Sequence, residues 1–293
     1  MHFPLLEKAL DEAAAQGHRI DFWWRDDDAI EPTPALDRLL AMASEHAAPV
    51  AVAAIPAFVQ PALTSRLARE PLASVLVHGL THENHAPMGS KKAEFGSHRP
   101  LEMLKSDATE ALRLARAQFG EALCPAFVPP WNRIDSALAH DLPKIGYTGL
   151  STFGPRKAIA GTEHCRLSSK LEKTPPLDFD AFSSGDAVPT LLEENAPERV
   201  PITWNLAVAN THIDPIDWHG TRGLVAVEGV DEQAARAVKR GDSFAGEPIG
   251  LLTHHLVHTD DVWRACRALL ALLAAHPVAR FVRAETLFTK AVR

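Results

Sequence analysis

Ile20-Asp21-Phe22-Trp23-Trp24-Arg25-Asp26-Asp27-Asp28, followed shortly by Thr33-Pro34-Ala35-Leu36, decides the fold class. Residues 20–25 form an apolar, aromatic-rich run and are predicted as a strand. Thr33 then sits where a helix N-cap is needed and Pro34 at the first helical position, with Leu36, Leu39, Leu40 and Ala43 recurring at helical spacing. Strand followed by helix makes one βα unit.

The unit recurs in both directions of reading. Further strands are predicted at residues 49–55, 74–78, 125–128, 147–151, 202–206, 249–253 and 279–282. Helical patterns fall between them: residues 60–69, a stripe of Leu101, Leu104, Ala108, Leu112, Ala115 and Phe119, and residues 260–275 with Trp263, Cys266, Leu270 and Leu273 on one side. This alternation predicts an α/β architecture around a mainly parallel sheet. Residues 153–199 break the pattern, being rich in Pro, Ser, Lys and acids, and are expected to form an irregular excursion with short helices. Barrels of the (β/α) type commonly reach this length as one domain, so residues 1–293 are expected to form a single unit.

Composition removes several classes. With 46% hydrophobic and 23% charged residues the chain has the make-up of a globular enzyme, not of a disordered one. A formal charge of -7, without a dense Lys/Arg run, argues against a nucleic-acid partner. The opening residues meet Glu7 before an apolar stretch forms, and the longest apolar runs, 47–59 and 268–275, fall short of the ~20 residues that span a bilayer. Neither secretion nor membrane insertion is expected, and the expected location is the cytoplasm. Cys124, Cys165 and Cys266 are far apart and odd in number, which suits reduced thiols in a reducing compartment.

Chemistry-bearing residues gather where the predicted strands end, the usual place for function in βα folds. Asp26-Asp27-Asp28 places three like charges together, which costs stability unless a cation offsets them. Side chains alternate along a strand, so Asp27 and Asp28 serve one site only if the chain leaves extended geometry there; otherwise Asp26 and Asp28 share a face. His78 and His82, four residues apart, can meet on one side of a turn or helix and bind one metal. His254-His255 puts imidazoles at the end of another strand, where a surface pair is the alternative. Asp214 to Trp218 and Phe127 to Arg133 read by themselves as rigid loops with aromatic plugs.

Taken in order, these clusters resemble the motif series of the polysaccharide deacetylases, carbohydrate esterase family four, or NodB homology domain. The resemblance spans roughly residues 20–254. The family's aspartate pair is matched by Asp27-Asp28, and its H-[ST]-x-x-H motif by His78 and His82 with Gly79 in place of the hydroxyl residue. The R-x-P-x loop is matched by Val128-Pro129-Pro130-Trp131, D-x-x-x-W by Asp214 and Trp218, and L-x-H by Leu252 and His254. Val128 replaces the Arg that pairs with the catalytic base, a role open to Arg25 or Arg133; Ala29 and Asn132 replace glycines and suggest a divergent branch.

The resemblance implies a distorted (β/α) barrel of about seven parallel strands with a divalent ion, zinc first and cobalt, nickel, manganese or iron as further possibilities, on Asp28, His78 and His82. It also implies Asp27 as general base and His254 as general acid, with Asp214 orienting it. The backbone N–H of Trp131 would hold the oxyanion, and Trp131, Trp218, Pro130 and Leu252 would form the acyl pocket. The implied reaction is hydrolysis of an N-acyl amide, N-acetyl first, on an oligosaccharide or related small molecule. The alternatives are a deacylase for a non-glycan amide and a non-catalytic carbohydrate-binding relative, the latter permitted by the lost motif Arg.

Overall fold

The computed structural model describes residues 1–156, 206–241 and 247–288. The chain begins with α1 (Pro4–Ala15), then alternates β1 (Ile20–Ala29), α2 (Pro34–Glu45), β2 (Val50–Ala54), α3 (Pro61–Leu67), β3 (Ala73–His78), α4 (Leu101–Phe119), β4 (Leu123–Val128), α5 (Ser136–Ile145) and β5 (Gly149–Leu150). It continues through β6 (Ala207–Val208), α6 (Val227–Gly241), β7 (Ile249–Thr253), α7 (Asp260–Ala275), β8 (Ala279–Phe281) and α8 (Ala284–Phe288). Every strand pairing is parallel, in the order β6-β5-β4-β3-β2-β1-β7, with β8 added at the start of β1.

The sheet curls because its two edges meet. Ile213, just past β6, pairs with β7: its N–H donates to the Gly250 carbonyl at 3.1 Å and its carbonyl accepts from Leu252 at 2.8 Å. The result is the distorted barrel that the resemblance implied, built on seven parallel strands. Its outer face packs on the helices, with Phe22 and Trp24 of β1, Val50 and Val52 of β2 and Val75 and Val77 of β3 joining residues of α1 to α7. The alternate positions form a second cluster without residues of those helices, in which Ala51, Ala53, Leu76, Ala126 and Val128 surround Trp23 and Phe288. The small residues leave room for two large rings, which meet edge to face at 5.7 Å.

Local signals acted as expected at α2, where Thr33 Oγ1 accepts the Leu36 N–H at 3.0 Å and Leu36, Leu39, Leu40 and Ala43 are buried. Three departures have physical reasons. β1 continues past Arg25 to Ala29, because the acids are held inside the fold. α5 carries Pro143 in its interior, which hides it from a propensity reading. α1 takes its N-terminal bonds from far away: the Asp231 carboxylate of α6 accepts Leu5 N–H at 3.0 Å and Leu6 N–H at 2.8 Å. The expected strand at 202–206 lies outside the described residues except Leu206; β6 pairs one position further on. Of the expected excursion at 153–199, residues 157–199 also lie outside them, as does Cys165, whereas Cys124 and Cys266 are buried and free. Among the described residues no helix is long and apolar enough to cross a membrane.

Candidate metal centre

The site is built on an irregularity in β1. Asp26 pairs with Val52 and Ala29 with Ala54, so β1 advances by three residues while β2 advances by two. The extra residue is absorbed at Asp28, whose φ of 76° leaves the extended region. This settles the alternation question. Asp27 and Asp28 serve one site, and Asp26 turns away, accepting from Thr253 Oγ1 at 2.6 Å and from the His255 N–H at 3.0 Å and making a short hydrogen bond with His255 Nδ1.

His78 ends β3 and is almost fully buried. Its Nδ1 donates to the Val128 carbonyl at 3.0 Å, which leaves Nε2 as the free ring nitrogen, 3.0 Å from Asp28 Oδ1. His82 brings its Nε2 to 3.3 Å from the same oxygen. With neutral imidazoles, unshared electron pairs would converge on a carboxylate oxygen, an arrangement that a cation among them, proton or metal ion, would relieve. Ligand atoms of Asp28, His78 and His82 all lie within 4.8 Å of one another, and this is the grouping of that kind found among the described residues; His85 stands outside it. One oxygen and two nitrogens, with one nitrogen's tautomer set by a backbone carbonyl, fit a divalent transition ion. Burial pushes the Asp28 pKa up, but His78, His254 and His82 outweigh it and hold the carboxyl well below its usual range. Burial likewise opposes protonation of His78, yet Asp27 and Asp28 raise it, while burial and His78 together lower His82.

Asp27 is held by Arg25. The guanidinium Nε lies 2.9 Å from Oδ1, and Nη2 donates to Oδ2 at 3.0 Å, both side chains being buried. Arg25 is fixed in turn by Ser151 Oγ at 2.7 Å and Asn132 Oδ1 at 2.8 Å. Arg133 points elsewhere, donating to the Lys92 carbonyl at 2.7 Å. Of the two arginines open to pairing with Asp27, Arg25 on β1 therefore makes the contact. Asn132 stands at φ 57°, a left-handed conformation that Asn tolerates better than most residues, and adds an acceptor for Arg25 that glycine lacks.

Trp131, also left-handed at φ 55°, lays its ring 4.4 Å from that of His82, and Pro130 presses against Gly79. His254 follows β7 with Nε2 3.9 Å from Asp27 Oδ2, and the Trp218 ring meets it edge to face at 4.7 Å. Asp214 makes no hydrogen bond to His254. Its carboxylate accepts from the Ile216 N–H at 2.9 Å and from Trp218 Nε1 at 2.7 Å, and burial, opposed by these bonds, raises its pKa. Asp214 thus reaches His254 only by way of the Trp218 ring, and among the described residues His254 Nδ1 is buried without a hydrogen-bond partner. Leu252 is buried beside Arg25 in the sheet register. Sequence reading missed Glu94, Ser151 and Thr253, because ordinary polar residues in variable contexts carry no spacing signal.

The polysaccharide-deacetylase fold is the one this barrel adopts. It superposes on a candidate polysaccharide deacetylase from Mycobacterium smegmatis with a TM-score of 0.55 at 13% identity, covering 89% of this chain and 86% of that one. A mutant pseudoenzyme of the carbohydrate esterase 4 family, with restored enzymatic activity, gives a TM-score of 0.52 at 10% identity over 93% of this chain and 68% of that one. No protein-family profile and no curated protein matches the sequence.

Proposed function

We propose that this chain is a metal-dependent amidohydrolase that removes an N-acyl group, N-acetyl first, from a carbohydrate or related small molecule, releasing an amine and a carboxylic acid. The observation that carries the reading is the convergence of Asp28, His78 and His82 beside an Arg25-fixed Asp27 and a facing His254. Asp28, His78 and His82 would hold the ion, zinc first, which when bound supplies a Lewis acid that polarises the acyl carbonyl and acidifies water. Asp27 acts as general base, its carboxylate aimed by the Arg25 fork. His254, across from Asp27, delivers the proton to the leaving nitrogen. The Trp131 backbone N–H would receive the developing oxyanion, and Trp131, Trp218, Pro130 and Leu252 would form the acyl pocket.

Arg25 weighs against a non-catalytic carbohydrate-binding role, because the buried ion pair that aims a base is kept despite the change at Val128. Phe58, Leu256 and Val257 stand exposed beyond β2 and β7, which favours as a second reading an amide with an apolar part. Buried free thiols at Cys124 and Cys266 support a reducing, cytoplasmic setting, and we take residues 1–293 as one catalytic unit because β1 to β7 all contribute to the barrel that carries the site.

The test is amine release from N-acetylated oligosaccharides, run beside formylated and cyclic amides, after loading with zinc, cobalt, nickel or manganese. Release that stops on chelation and returns with the ion is expected. Metal-loaded protein inert on every amide would overturn the enzymatic reading. His78→Ala and His82→Ala should each lower bound metal and hydrolysis together; unchanged metal content by elemental analysis would refute the ligand assignment.

A further inference from the structure

Glu94 lies outside every motif of the sequence, yet only 1% of its surface is exposed and among the described residues it forms no ion pair. A buried carboxylate is costly unless its oxygens are satisfied by donors. Here the donors all come from the loop that carries His82. Oε1 accepts the Thr81 N–H at 2.8 Å and the Thr81 hydroxyl at 2.9 Å, and Oε2 accepts the His82 N–H at 3.1 Å. The Leu80 N–H approaches both oxygens at 3.3 and 3.4 Å. Consecutive backbone N–H groups converging on one anion form a nest, and His82 sits in it at φ 57°, a conformation costly for a residue with a side chain.

Glu94 is itself anchored. Phe95 pairs with Ile134, the Ala93 N–H donates to Asn84 Oδ1 at 3.0 Å, and Arg99 Nη1 donates to the Glu94 carbonyl at 3.2 Å. The same carboxylate accounts for Gly79. A Cβ there would lie 2.2 Å from Glu94 Oε2 and 2.6 Å from Pro130 Cγ, at a φ of 58°. Where the deacetylase motif has a hydroxyl residue, this chain has an empty place filled from outside the motif.

We infer that Glu94 is a positioning residue for the metal centre, holding the loop of residues 79–82 in the strained form that turns His82 toward Asp28 and His78. This rests on the metal-centre reading above. It acts through the backbone of His82, so its loss should weaken metal binding and leave hydrolysis recoverable at excess metal. An outer partner of this kind typically contributes 10–100-fold to affinity.

The test is zinc affinity of the full chain, measured by competition with a chromophoric chelator. Glu94→Gln, which swaps an acceptor for an amide donor facing N–H groups, should bind zinc about 10–100-fold more weakly with unchanged circular dichroism, and activity should return with excess zinc. In a His82→Ala background the same change should have no further effect. Wild-type affinity in folded Glu94→Gln, or a full additional loss on top of His82→Ala, would overturn the inference. Should Glu94→Gln fail to fold, Thr81→Val removes a single bond to the carboxylate and should still weaken zinc several-fold; unchanged affinity there overturns it equally. A wild-type chain without zinc affinity would instead overturn the metal-centre reading, and this inference with it.

Discussion

At the scale of single residues, the site depends on which carboxylate faces which partner. Asp27 touches Arg25 and faces His254, and the ligand cluster is complete without it. Asp27→Asn should therefore retain metal by elemental analysis while turnover falls about 10²–10⁴-fold. Full turnover in that variant would move the base elsewhere. Arg25 has a heavier structural burden, since Asp27, Asn132 and Ser151 all lose their partner with it. Arg25→Met leaves a buried carboxylate unpaired and should lower stability by about 3–5 kcal/mol in urea unfolding, in addition to any loss of activity. Part of this was legible in the sequence: His78 and His82 could be paired from spacing, and Asp28 and His254 followed from the resemblance. The partner of Asp27 could not, because two arginines were available and only their distances separate them.

At the scale of elements, strands and helices are tied together by contacts that cross the sequence. The Asp231 carboxylate caps α1 from α6, so Asp231→Ala should cost about 1–2 kcal/mol and loosen α1 first, read as faster amide exchange at Leu5 and Leu6. Equal exchange in variant and wild type would show that α1 does not need the cap. The close passage of β7 and the chain after β6 allows no side chain at residue 250: a Cβ on Gly250 would lie 2.6 Å from the Asn210 carbonyl oxygen and 2.6 Å from Trp23 Nε1. Gly250→Ala should destabilise by about 1–3 kcal/mol, measured as a lower urea midpoint. Apolar spacing located α2, α4 and α7 because each buries a regular stripe against the sheet. It missed α5, whose pattern is interrupted by Pro143 between the Asp135 cap and Gly146, and α6, which packs on α1, and it ended β1 too early because buried acids read locally as a turn.

At the scale of the whole molecule, several histidines collect at the end of β7, and protonation of His258 couples to folding. Burial lowers the pKa of His258 to about 4, with Asp26 opposing and His254 and His255 adding to the effect. Its Nε2 accepts the His254 N–H at 3.3 Å, which needs an unprotonated nitrogen. The unfolded chain takes up this proton near its ordinary value of 6.5, so below that pH the unfolded state gains protons that the folded state refuses. Stability should fall as pH drops from about 6.5 toward about 4, by roughly 3 kcal/mol at the limit. In metal-free protein, His258→Gln should flatten this acid limb of the urea midpoint; an equally steep limb would assign it to other groups.

Residue order and spacing alone determined the α/β class, the positions of most strands and the His78/His82 pair as metal-ligand candidates, because these follow from periodicities of side chains near in sequence; Asp28 joined them only through the resemblance. Only the tertiary structure decided that β1 slips by one residue so that Asp27 and Asp28 face one site, that Arg25 and not Arg133 holds Asp27, and that Glu94 accepts the N–H groups of the His82 loop. The slip is set by pairing with β2, Arg25 is aimed by Ser151 and Asn132, and Glu94 is anchored through the pairing of Phe95 with Ile134; each depends on partners distant in sequence, which no local pattern encodes.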